Sequence, residues 1–146
     1  MARAETSIEI NASPEKIWSI LVQLEKMPEF FESIKKVEWT SKDKNKVGST
    51  FHAVGEALGT KMENDYEIAE MIENEKLTFR TTSGHLTAIL TTTLTPTKNG
   101  TKITITQDYE LPYSILGKII DKLAVHRAMQ KETEGALKKL KAMAEK

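Results

Sequence analysis

Residues Thr60 to Ile68 read TKMENDYEI, and their alternation constrains the fold more than any other stretch of the chain. Lys61, Glu63, Asp65 and Glu67 alternate with Met62, Asn64, Tyr66 and Ile68. A side-chain period of two defines a strand with one face toward water and the other inward. The inward face is not wholly apolar, because the Asn64 amide and the Tyr66 hydroxyl stand on it. A buried amide without a partner costs a few kcal/mol, so these groups need water, one another or a ligand. That implies a lined cavity rather than a solid core.

The flanking sequence extends the pattern. Ala4, Thr6, Ile8 and Ile10 alternate with Arg3, Glu5, Ser7 and Glu9, which predicts a first strand. Ser13 then caps a helix that starts at Pro14, since proline fits the first helical position. Ile17, Leu21 and Leu24 form its buried stripe, with Trp18 and Val22 beside them. The helix is expected to end at Met27-Pro28, with a short second helix over Pro28-Glu29-Phe30-Phe31. Strands are predicted around Ile34–Ser41, Ser49–Ala57, Thr60–Met71, Lys76–Ser83, Leu86–Thr95 and Thr101–Glu110. Turn signals separate them at Asn45 to Gly48, Gly59, Glu73-Asn74-Glu75, Ser83-Gly84 and Asn99-Gly100. Links this short make neighbouring strands antiparallel.

After Leu111-Pro112 the spacing becomes helical, from Tyr113 to Met143, with Leu116, Ile119, Leu123, Leu137 and Leu140 on one side. Such a helix is on the order of 45 Å long. Gly117 and Gly135 weaken it by about 1 kcal/mol each relative to alanine, so each marks close packing or a bend. The order β-α-α-β6-α describes one α+β domain spanning residues 1–146.

Composition removes several classes of function. The 21 basic and 21 acidic residues cancel, so no net field draws nucleic acid or an anionic membrane. Only Arg3, Arg80 and Arg127 among the basic residues are arginines, a poor match to phosphate recognition. The absence of cysteine excludes disulfides, thiolate chemistry and cysteine-based zinc sites. No apolar run approaches the roughly 18 residues of a membrane span, and the N-terminus lacks the apolar core of a secretion signal. A soluble cytoplasmic protein without stable membrane insertion, a monomer or weak homodimer, is the expectation.

The opening strand, the run Asn11-Ala12-Ser13-Pro14-Glu15-Lys16-Ile17-Trp18, and Met27-Pro28-Glu29-Phe30-Phe31-Glu32-Ser33-Ile34-Lys35-Lys36-Val37 together resemble the START-like, or SRPBCC, superfamily. Val47-Gly48 before the third strand and the Leu-rich C-terminal helix complete the likeness. Within that superfamily the chain resembles the polyketide cyclase/dehydrase and coenzyme-Q-binding type. The resemblance implies a helix-grip fold: a curved antiparallel sheet of about seven strands wrapped around the long last helix, leaving a cavity between them. It also implies an apolar ligand such as a lipid, sterol, quinone or polyketide, with a minority of members catalysing cyclisation or dehydration.

Alternation alone nominates the lining. Met62, Asn64, Tyr66 and Ile68 come from one strand, Leu86, Ala88, Leu90, Thr92 and Leu94 from another, and Ile103, Ile105, Gln107 and Tyr109 from the last. Leu123 and His126 are the candidates on the helix. Asn64, Tyr66, Thr92, Gln107 and Tyr109 then punctuate an apolar surface, the usual makeup of a ligand pocket. Each of them taken singly also fits a structural hydrogen bond to a neighbour or to buried water.

Chemistry has thinner support. His52, His85 and His126 have no metal-binding spacing, and neither a GxSxG nor a phosphate-binding loop occurs. His126 beside Arg127 or Gln130 can act as acid or base near neutral pH, although a helix-surface position is the ordinary case. Phe51 is the inward partner of the Phe51-His52 pair. Glu63, Asp65 and Glu67 share the outer face with Lys61, a solvated strand surface. Three functions follow: binding or carriage of a small apolar molecule without cofactor or metal, a cyclase or dehydratase using Tyr66, Tyr109 or His126, and a protein-interaction module with a vestigial cavity.

Overall fold

The computed structural model describes residues 1–57, 59–110 and 122–146. Strand β1 spans Ala2–Ile10 and leads to helix α1, Pro14–Leu21. Ser13 caps α1 in extended conformation, its Oγ accepting from the Lys16 N–H at 3.2 Å, with Pro14 in the first turn. The helix stops earlier than its apolar stripe predicts. Gln23 leaves the helical region at φ −87°, ψ 81°, and a 3-10 turn, Leu24–Lys26, carries the buried Leu24 into α2, Met27–Phe30.

Six strands follow: β2 Ile34–Trp39, β3 Thr50–Ala57, β4 Thr60–Ile72, β5 Lys76–Gly84, β6 Thr87–Thr97 and β7 Gly100–Glu110. They form one curved antiparallel sheet in the order β1-β7-β6-β5-β4-β3-β2. Asn45 and Asn74 take positive φ in the β2–β3 and β4–β5 connections, a conformation their short polar side chains tolerate.

Helix α3, Lys122–Ala144, runs alongside β1 in the same direction. Gln130 Nε2 donates to the Glu5 carbonyl at 2.8 Å and to Thr6 Oγ1 at 2.7 Å, and further along Lys141 Nζ reaches the Glu9 carbonyl at 3.2 Å. Its buried face is Val125, Thr133, Ala136, Leu137, Leu140 and Ala144. Leu137 and Leu140 are inward as the spacing predicts, but Leu123 is 55 % exposed. At about 100° per residue, Leu123 stands roughly 100° around the helix from Leu140, while Val125 lies within about 60° of it. The inward stripe therefore passes through Val125. Leu116, Ile119 and Gly117 lie outside the described residues.

The core is continuous between the sheet, α1 and the second half of α3. Ile10, Ile17, Leu21, Leu24, Ile68, Leu77, Leu94, Ile103, Ile105, Leu137 and Leu140 are buried together. Among the described residues no helix is long and apolar enough to cross a membrane.

Candidate functional site

The strand alternation is realised on β4, where Asn64 and Ile68 are buried while Lys61 is exposed. On the outer face Arg80 Nη2 meets Glu67 Oε1 at 2.9 Å. His52 lies on that face too, paired by register with Asp65, and its Nδ1 is 2.7 Å from Asp65 Oδ1. Its Nε2 is 3.5 Å from Glu63, and Ser83 Oγ donates to Asp65 Oδ2 at 2.7 Å. The bond to Asp65 raises the His52 pKa above its ordinary 6.5. The bonds from Ser83 and His52 hold the Asp65 carboxyl below the usual 3.8.

Phe51 points the other way and is almost fully buried. Its ring stacks on Tyr66 at 5.0 Å with 6° between planes, and meets Phe79 edge-on at 5.0 Å and Trp39 edge-on at 6.1 Å. One aromatic from each of four adjacent strands thus forms a continuous wall. Offset and edge-on pairs of this kind contribute about 0.5–1.5 kcal/mol beyond burial.

That wall bounds a cavity of about 110 Å³, partly open to solvent and mostly apolar. Met62, Asn64, Tyr66, Ala88, Leu90 and Gln107 line it as the alternation predicts, together with Leu86. Ile68, Leu94 and Ile103 are buried in the core instead, and Thr92 and Ile105 do not line the cavity either. The last two pair across β6 and β7 one inward step beyond Leu90 and Gln107, where the apolar core fills the space. Leu123 is displaced by the phase of α3. Tyr109 and His126 stand behind the lining: Tyr109 is buried with Ala4, Ala88 and Val125 against Leu86 and Met129. The Tyr109 hydroxyl lies 3.5 Å from His126 Nδ1, and burial raises the Tyr109 pKa.

Two polar groups of the lining are committed to structure. Asn64 Oδ1 accepts from the Leu86 N–H at 2.7 Å. Burial pushes the Tyr66 pKa up to about 12, with the neighbouring Asn64 side chain acting the other way. Glu132 Oε1 accepts from Ser33 N at 3.0 Å and Ser33 Oγ at 2.6 Å, tying α3 to the α2–β2 junction. Gly55 completes this corner, because a Cβ there would sit 2.2 Å from the Ser33 carbonyl oxygen. Among the described residues no hydrogen bond engages the Gln107 side chain.

Met27, Phe31, Ser33, Ile34, Met129 and Glu132 line the cavity without having been nominated by strand alternation. They come from α2, the link after it, the start of β2 and α3. The signal for Met129 and Glu132 was the helical phase of α3, in which they follow Val125 on the inward side. Among the described residues no group of three or more His, Cys, Asp or Glu is placed to hold a metal.

A curved seven-stranded sheet gripping a C-terminal helix, with a cavity between them, is the START-like helix-grip fold. The chain belongs to the family described as polyketide cyclase/dehydrase and lipid transport, which matches residues 1–145. A 17.2 kDa uncharacterized protein of Streptomyces lincolnensis is 26 % identical over 146 residues, 99 % of this chain and 91 % of that protein. A START superfamily protein from Mycobacterium smegmatis superposes with TM-score 0.81 at 18 % identity, over 98 % of this chain and 97 % of its own. An aromatase/cyclase from a Streptomyces species superposes with TM-score 0.82 at 12 % identity, over 99 % and 93 %. At these identities the structural likenesses establish the fold.

Proposed function

We propose that residues 1–146 form one unit that binds or carries a small apolar molecule, of lipid, isoprenoid, quinone or polyketide type, in this cavity. The observation that carries the reading is the lining itself. Met27, Met62, Met129 and the Phe51–Tyr66–Phe79 wall supply apolar and polarizable surface, and a few polar groups interrupt it. That combination fixes a ligand's orientation while burial supplies affinity. An environment-sensitive dye is expected to bind at about one per chain and to be displaced by a quinone or a long-chain alcohol, read by fluorescence titration. Dye fluorescence unchanged by a saturating amount of protein would remove the reading.

A second reading, a cyclase or dehydratase, draws on the contact between the Tyr109 hydroxyl and His126 Nδ1. Such a pair can relay a proton. The pair adjoins Leu86, Ala88 and Met129 rather than forming the lining, which favours binding. On the binding reading, His126→Gln leaves ligand affinity within about threefold, and no ligand is turned over. A turnover activity that falls roughly 100-fold in the same variant, with affinity preserved, would reverse the choice.

A further inference from the structure

Glu132 gives the cavity a chemical preference. Its Oε1 is taken by the two Ser33 donors at 3.0 and 2.6 Å. Among the described residues no hydrogen bond or ion pair engages its Oε2. The residue is half-buried on the inward side of α3 and lines the cavity, and the described lining includes no lysine, arginine or histidine to face it. The two lysines that follow Ser33 are committed elsewhere, with Lys35 Nζ on the Glu32 carbonyl at 3.1 Å and Lys36 Nζ on Glu38 at 2.8 Å. An acceptor held in a mostly apolar cavity, with an oxygen left over, is best satisfied by a donor that the ligand brings. Charge-assisted bonds of this kind are roughly twice as strong as neutral ones.

We propose that Glu132 selects ligands whose apolar body ends in a hydrogen-bond donor, a primary ammonium first and a hydroxyl second, and that it rejects carboxylates. This rests on the cavity's being a ligand site. It narrows that reading from any apolar molecule to small apolar amines and alcohols, and it sets fatty-acid anions aside. A carboxylate head would bring its charge against Glu132, and no group of the described lining offers a cation to offset it. Because the whole chain has a net charge of zero, a preference among heads reports the cavity rather than the general field of the protein.

The test uses octylamine, 1-octanol and octanoate, which share one apolar body and differ in the head, each titrated into the full chain near neutral pH at physiological salt. Calorimetry and dye displacement read the affinities. Octylamine is expected to bind at least roughly tenfold more tightly than octanoate, with octanol between them. Glu132→Gln keeps an oxygen to accept from Ser33 and replaces Oε2 with a donor. It should therefore bring the amine and the carboxylate to within about threefold of each other or invert their order. Equal affinities in the unaltered protein, or tighter octanoate, would overturn the role of Glu132 and leave the cavity as a general apolar site. A folded Glu132→Gln variant that keeps the full amine preference would overturn that role as well. Failure of all three compounds and of the dye to bind would overturn both readings. The ranking in the unaltered protein decides the matter even if the variant does not fold.

Discussion

At the scale of single residues, the two faces of β4 do opposite things with the same period. Inward, Asn64 accepts from the Leu86 N–H while the Tyr66 ring stacks on Phe51, so the residues that first signalled a cavity also build its wall. Outward, His52 is held by Asp65 with Glu63 beside it. The folded pKa of His52 is raised, so its stabilisation is present in full below its ordinary 6.5 and is lost as pH rises through the folded value. Asp65 is lowered, so its share is present above 3.8 and is lost as pH falls through its folded value. The contribution is greatest between those limits. Both side chains are partly exposed, which keeps it to about 0.2–1 kcal/mol. Urea unfolding across a pH series should show His52→Gln less stable than the parent near pH 5 to 6, by about that amount. The gap should close toward pH 8, and a gap that widens as pH rises would contradict the sign.

At the scale of elements, glycine positions that look alike in sequence carry different constraints. Gly84 has φ +120°, and a Cβ there would lie 2.3 Å from the Glu63 carbonyl oxygen and 2.7 Å from Asn64 Oδ1. Gly84→Ala should therefore cost at least about 1–3 kcal/mol, the range for overpacking, and should disturb the Asn64–Leu86 bond at the cavity wall. Gly135, in the middle of α3, meets nothing within 4 Å. Of the two expectations, close packing or a bend, close packing is not met, and Gly135→Ala should stabilise the helix by about 0.5–1 kcal/mol. Thermal or urea unfolding of the two variants checks both signs. The strand boundaries were legible to within a few residues, because alternation and turn residues are local. The early stop of α1 was not, because an apolar stripe continues through a 3-10 turn as readily as through a helix.

At the scale of the whole molecule, the cavity exists because the described helices fill only part of the curved sheet. One end of the strands is packed by Ile17, Leu94, Ile103, Leu137 and Leu140. At the other end Met62, Tyr66, Leu90 and Gln107 face open space. Leu90→Trp should occupy that space and abolish dye binding, at a stability cost of about 1–3 kcal/mol. Dye binding that survives in a folded variant would locate the dye elsewhere.

Which side of each strand faces inward was already written in the order of residues, because the pleat ties side-chain direction to a period of two. Met62, Asn64, Tyr66, Ala88, Leu90 and Gln107 could be named on that ground alone. Where core gives way to cavity is not a local property. Thr92 and Ile105 obey the same alternation as Leu90 and Gln107, yet the helices and strands packed over them close the space. The phase of α3, which turns Val125 inward and Leu123 outward, arises in the same way from docking against β1. So does the meeting of Glu132 with Ser33, 99 residues apart in sequence. Contacts between distant segments depend on how whole elements pack, and it is those contacts that decide the shape and chemical preference of the cavity.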